Sequence, residues 1–209
     1  LYTFVFEKPK DMSWISGQHG PLVFHDELPE DRGKRTLSIA SSVKEDNVRF
    51  LLKIEEQRSN YKQALLDLQP GNDMTFVGPV GIFYPKDTTK KLIFIAGGVG
   101  VAPFRPMLYD CAQGNDNMNI ELVYASTKGN FAFKDEFDAF AKKSDAIAIH
   151  YADEREAAKK ITEELIEKHG NDAQYFISGA PSMVEEFKQV VLNKNISEEN
   201  IVLDIFTGY

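Results

Sequence analysis

The sequence is poor in cysteine, histidine, long apolar runs and positive charge, and each shortage removes a class of function. One cysteine, Cys111, excludes a disulfide within the chain and a cysteine-ligated iron–sulfur cluster, because both need several thiols. The four histidines, His19, His25, His150 and His169, are scattered without metal-ligand spacing, so no metal is expected. No apolar run approaches the roughly 18–20 residues of a membrane span. No signal peptide is visible either, and the expected compartment is the cytoplasm. Against 32 Asp and Glu stand 24 Lys and Arg, for a formal net charge of −8. That balance argues against a nucleic acid or an anionic membrane held by bulk charge. It fits solubility, or an acidic face for a protein partner.

What is present reads as an ordinary globular chain, 43% hydrophobic and 27% charged, long enough for one large domain or two small ones. Residues 1–7, 21–25, 35–42, 47–54 and 74–77 are short β-type runs broken by Gly and Pro, with one helical stretch at 61–68 stopped by Pro70 and Gly71. Such a pattern predicts a small antiparallel barrel. A polar linker at 84–91 follows, and the boundary is set at 86/87. Beyond it strands at 92–96, 120–125, 146–151, 175–178 and 201–206 alternate with helices at 103–113, 133–143, 161–169 and 181–194. This alternation predicts a parallel sheet covered on both faces.

Four short segments carry candidate chemistry. Gly97, Gly98 and Gly100 follow an apolar strand and precede Pro103 at a helix start. Glycines there let a backbone approach a pyrophosphate, and the helix start offers free N–H groups to an anion; the plain alternative is a tight β–α turn. Arg35, Thr36, Leu37 and Ser38 lie on one strand. The arginine fork suits a phosphate, yet odd spacing sends Arg35 and Ser38 to opposite faces. Ser59, Tyr61 and Lys62 open the short helix, where Ser59 is either a cap, part of a phosphate cradle, or both. Ser178, Gly179 and Met183 form a second strand-to-helix turn, with Pro181 at its helix start. Ligands in open parallel sheets sit at the carboxyl ends of strands, so the two glycine turns should face one crevice.

In this order, these segments resemble the ferredoxin–NADP reductase family, and the likeness covers nearly the whole chain. Further matching pieces are Gly17-Gln18, Gly78-Pro79-Val80-Gly81, and the tail Asp204-Ile205-Phe206-Thr207-Gly208-Tyr209. The resemblance implies a six-stranded antiparallel flavin barrel over 1–86, its first strand lying upstream of Leu1, and a parallel-sheet nicotinamide-nucleotide domain over 87–209. It implies FAD, with NADPH or NADH as donor. Arg35, Thr36, Leu37, Lys53, Ile54, Ser59, Tyr61 and Lys62 would hold the flavin. Gly97, Gly98, Gly100, Pro103, Gly179 and Met183 would shape the nucleotide site. Ser38, Ser178 and Phe206 would stand at the point of hydride transfer, Ser38 near the flavin N5, and Phe206 or Tyr209 would pack by the flavin ring. Leu37 and His19 depart from the aromatic residues common in the family, Ala102 from its threonine, and Ser178 from the plant-type cysteine.

The implied reaction moves hydride from nicotinamide to flavin and then electrons to a separate acceptor, a ferredoxin-like redox partner or a small molecule. After the strand ending at Ala125, Ser126, Thr127 and Lys128 offer hydroxyls and one charge, with no acid in that stretch to reject a 2′-phosphate; this tilts the reading towards NADPH. Two alternatives stay open: a reductase module of a larger electron-transfer complex, and a nucleotide-binding regulator that has lost its flavin.

Overall fold

The computed structural model describes residues 1–114 and 117–206, except for the side chain of Lys128. In the first half, β1 (Tyr2–Glu7) runs antiparallel to β4 (Asn47–Leu52), in register from Tyr2 opposite Leu52 to Glu7 opposite Asn47. β2 (His19–Val23) lies between β3 (Lys34–Ser38) and β5 (Thr75–Phe76), antiparallel to both. Isolated bridges join Ile39 to Phe50 and His19 to Val80. The side-chain period of two gives β4 two buried faces. Val48, Phe50 and Leu52 point into a core with Trp14, Leu22, Ile39, Tyr61 and Leu65, whereas Leu51 joins the core of the second half. Trp14 donates its indole N–H to the Ser41 carbonyl at 2.8 Å. The helix α1 (Asn60–Asp67) is capped by the Ser59 hydroxyl, which accepts from the Lys62 N–H.

The barrel expected here is not closed: the described strands form a two-stranded ribbon and a three-stranded sheet. The strand expected over 35–42 stops at Ser38. Beyond it the Ile39 N–H donates to the Gln18 carbonyl and the Ala40 N–H to the Arg49 carbonyl of β4, while other groups bond outside the sheets. The Ala40 carbonyl accepts from Arg105, and the Ser42 N–H and hydroxyl go to the carboxylates of Glu45 and Asp110.

The second half is a five-stranded parallel sheet in the order β10 (Ile201–Ile205), β9 (Ala173–Gly179), β6 (Lys91–Gly97), β7 (Asn119–Ala125), β8 (Ile147–Ala152). Its strands alternate between two dry faces. Leu92, Phe94 and Ala96 face α2 (Phe104–Ala112) and α3 (Lys134–Lys143), while Ile93 and Ile95 face α4 (Arg155–His169) and α5 (Pro181–Asn193). The Phe94 and Phe104 rings stack at 4.5 Å. α4 starts six residues before the helix expected at 161–169, because its first turns, REAAKK, carry mostly polar residues and hide the periodicity. No helix among the described residues is long and apolar enough to cross a membrane.

Helix α2 ties the halves together. Arg105, 1% exposed, donates to both carboxylate oxygens of Glu45 (2.7 and 3.0 Å), to the Ala40 carbonyl (3.0 Å) and to Glu136. One turn on, Asp110 accepts from the hydroxyls of Ser42 (2.6 Å) and Ser16 (2.7 Å). A buried charge keeps its carboxylates in place only while it stays.

The turn between β6 and α2 needs its glycines for two different reasons. Gly98 has φ +54 and open space where a Cβ would stand, so its demand is conformational. Gly100 is a matter of room: a Cβ there would lie 2.2 Å from the Ser178 carbonyl oxygen. The close approach of this turn to the end of β9 therefore depends on a missing side chain.

Two outcomes test these contacts. Replacing Arg105 by Met strands the buried Glu45 carboxylate and should lower stability by about 3–5 kcal/mol; an unchanged urea midpoint would refute the role given to this pair. Gly100→Ala must push the β6 and β9 turns apart, at a cost of about 1–3 kcal/mol. A melting temperature equal to that of the parent chain would show that the turns are not in contact as described.

Candidate functional site

The sheet begins at its centre. From β6 the chain goes to β7 and β8 on one side, then returns to β9 and β10 on the other. Loops at such a switch point diverge and leave a crevice at the carboxyl ends. A cleft of ≈ 760 Å³ opens there, and its opposite wall is the edge of the first half. Thr36, Leu37, Ser38, Lys53 and Lys62 border it from that wall. Gly97, Gly98, Ser126, Thr127, Met183 and Phe206 border it from the sheet.

Other expected residues stand back from the cleft. Gly100 and Pro103 are buried in the turn behind Gly98, with Pro103 as the cap of α2 rather than its first residue. Ser178, fully buried, and Gly179 lie at the end of β9. Ile54 packs on the core of the first half. The Phe206 N–H donates to the Gly179 carbonyl at 2.9 Å. Tyr209 and the Lys128 side chain lie outside the described residues.

Arg35 and Ser38 do diverge, as their spacing requires. Ser38 faces the cleft; Arg35 turns towards the start of α1. The Tyr61 side chain is corrected from a cofactor contact to a core residue: it is 0% exposed and donates its hydroxyl to the Leu22 carbonyl at 2.8 Å. What it offers near Arg35 is its backbone N–H and its ring, which lies 4.7 Å from the guanidinium carbon.

At the meeting of the two halves sits a group that the sequence marks only as part of the tail. Asp204 on β10 is opposite Ser178 on β9 and accepts from its hydroxyl at 3.4 Å; Ser38 also hydrogen-bonds to this carboxyl. Burial raises the Asp204 pKa above the usual carboxylate value, against the pull of nearby His19 and of the Ser178 and Ser38 hydrogen bonds. A carboxyl biased towards its neutral form can donate as well as accept a hydrogen bond. His19 fits beside it because Gly81 has no side chain: a Cβ there would lie 2.7 Å from the imidazole. The isolated polar residue in the otherwise apolar last strand, IVLDI, was the available signal for Asp204.

A second correction concerns charge near Ser126 and Thr127. No acid follows β7 in sequence, but Asp153 and Glu154, after β8, share the cleft wall with them, as does Arg155. Strand order, invisible in the local sequence, brings them there. Arg155 is itself paired with Glu186 at 3.0 Å.

The residues present fit the phosphates of a flavin and a nicotinamide nucleotide. Space is open beside Gly98 on the glycine wall of the cleft, and Arg35, near the start of β3, stands beside the N-terminus of α1. Comparison with known proteins agrees. The family described as oxidoreductase NAD-binding domain matches residues 94–189. One component of the Na(+)-translocating NADH-quinone reductase of Idiomarina loihiensis is 27% identical over 69% of this chain and 39% of its own length. The toluate 1,2-dioxygenase electron transfer component of Pseudomonas putida is 25% identical over 94% of this chain and 60% of its own. The chain thus spans less than two thirds of the length of these relatives. A ferredoxin NADP+ reductase from Neisseria gonorrhoeae, solved with bound FAD and NADP, shares the fold with a TM-score of 0.75 at 18% identity, over 97% of this chain and 91% of that one. Residues 94–189 thus match the oxidoreductase NAD-binding domain family, and the chain shares the fold of the ferredoxin–NADP reductases.

Proposed function

We propose that this chain is the flavin- and nicotinamide-binding core of an NAD(P)H oxidoreductase that passes electrons to a separate acceptor. The observation that carries the reading is the convergence of Ser38 from one half and Asp204 from the other at a single cleft, with the buried Ser178 hydroxyl behind Asp204. In this reading residues 1–86 are the FAD-binding unit, of the six-stranded antiparallel barrel kind, and residues 87–209 bind the nucleotide.

When bound, FAD supplies the redox chemistry, taking hydride from the nicotinamide and handing on electrons. The chain supplies position and electrostatics. Arg35, Ser59, Lys62 and the Tyr61 N–H hold the flavin phosphates. Thr36, Leu37, Lys53 and Ile54 line its body. Gly97, Gly98, Gly100 and Pro103 shape the nucleotide turn, with Gly179 and Met183 opposite. Ser38, Ser178 and Phe206 stand at the reacting end, where Asp204 orients both hydroxyls. Hydride transfer itself needs no general base.

Ser126, Thr127 and Lys128 border the nucleotide ribose in this reading, but Asp153 and Glu154 add negative charge to that wall. A carboxylate favours a 2′-hydroxyl over a 2′-phosphate, so the preferred donor is NADH. The donor in the printed name of the Idiomarina protein agrees. The reading of this chain as a module of an electron-transfer assembly is supported by both relatives' names, a subunit and an electron transfer component.

The visible spectrum of the purified protein, followed without oxygen as NADH or NADPH is added, tests the whole reading. An oxidised-flavin spectrum that bleaches, faster with NADH, is expected. A colourless protein that takes up neither FAD nor FMN would instead favour a nucleotide-binding regulator. In stopped flow, Ser38→Ala should slow this bleaching about 10-fold or more, within the range of a lost hydrogen-bond donor at a reacting centre, while changing FAD affinity little. Equal rates would remove Ser38 from the reacting end.

A further inference from the structure

The anion cradle of the first half is filled by the chain's own carboxylate. Asp31 accepts from Arg35 through both oxygens, at 2.8 Å each. It also accepts from the Tyr61 N–H in the first turn of α1 at 3.1 Å and from the Gly33 N–H at 3.2 Å. The Ser59 hydroxyl lies 3.2 Å from the same guanidinium. The Asp31 side chain is only 5% exposed, and the hydrogen bonds from Arg35 lead in lowering its pKa to about 2. A guanidinium fork beside a helix N-terminus is phosphate-binding chemistry, and a carboxylate presents the same kind of oxygens.

The segment that delivers Asp31 lies between β2 and β3 and is otherwise largely solvent-facing. Its polar contacts to α1 are those of Asp31 and the Asn60 side-chain amide donating to the Pro29 carbonyl at 2.6 Å, while the Phe24 ring packs edge-on against Tyr61 and Leu28 on the core. Next to Asp31, Glu30 sits at φ +53, a conformation unfavourable for a residue with a side chain. The segment is thus bent under strain to bring one carboxylate into a site built for an anion.

We infer that Asp31 is an internal stand-in for the flavin phosphate, which it must vacate for FAD to bind, so that Asp31 sets the affinity of this chain for its cofactor. The inference rests on the proposed flavin function. Asp31 contributes opposing effects. It neutralises Arg35 and steadies the chain without cofactor, and it competes for the guanidinium when cofactor arrives. A residue that merely aimed Arg35 at the phosphate would instead strengthen binding.

The test is a titration of the cofactor-free chain and of Asp31→Asn with FAD, read by flavin fluorescence, with riboflavin as the probe that lacks phosphate. Asp31→Asn should bind FAD at least about tenfold more tightly, the scale of a charge-assisted pair no longer competed away, with riboflavin affinity unchanged. Equal or weaker FAD binding by Asp31→Asn, with FAD still bound by the parent chain, overturns the stand-in and leaves the flavin function intact. Failure of the parent and the variant to bind either flavin overturns the flavin function and the stand-in together. A second measurement needs no variant: amide hydrogen exchange across residues 24–33 of the parent chain should quicken when FAD is added. Slower exchange there would mean that Asp31 stays in place, and the inference would fall.

Discussion

The buried guanidinium of Arg105 is the contact on which the geometry of the cleft depends. It emerges from the first turn of α2, directly after the glycine turn, and reaches across to Glu45 and the Ala40 carbonyl in the other half. The element that bends the chain round an anion-binding turn is therefore the one that aligns the opposite wall. Asp110 repeats the arrangement one turn later with Ser42 and Ser16. Residues 40–42 thus bond both to β4, through the Ala40 N–H on the Arg49 carbonyl, and to α2, through the Ala40 carbonyl and the Ser42 hydroxyl. A purely apolar contact would have allowed sliding; a forked guanidinium with directed acceptors does not.

In and beside the cleft, acidic side chains decide what the positive and neutral ones can do. Asp31 occupies the fork of Arg35, Asp204 bridges two hydroxyls, and Asp153 and Glu154 colour the ribose wall. For a chain of net charge −8 this is less a surplus than a distribution. The carboxylates stand where they compete with, orient or discriminate between anionic ligands.

Much of the fold was legible because its causes are local. Alternating apolar strands, glycine at the bend after β6 and proline at the start of α5 each act over a few residues, and their elements fall where expected to within a residue or two. The pairing of the two glycine turns followed from the rule that parallel strands gather loops at one end. What escaped was set by distant contacts. Strand β3 ended early because the chain after Ser38 passes from β2 to partners on β4 and α2. The first turns of α4 hid because their residues are mostly polar. Tyr61 read as a ligand contact because its burial depends on β2, and Asp31 left no signal beyond a carboxylate four residues before an arginine. Asp153 and Glu154 became part of the site only through strand order.

Trp14, with its indole N–H fixed to the Ser41 carbonyl, is the single tryptophan of the sequence and lies in the core of the first half. Four of the five described α-helices belong to the second half. Intrinsic tryptophan emission and far-ultraviolet circular dichroism therefore watch different parts of the molecule. Coincident melting curves from the two signals would mean that the halves come apart and unfold in one cooperative event, and separated curves would give the order in which the cleft loses its walls.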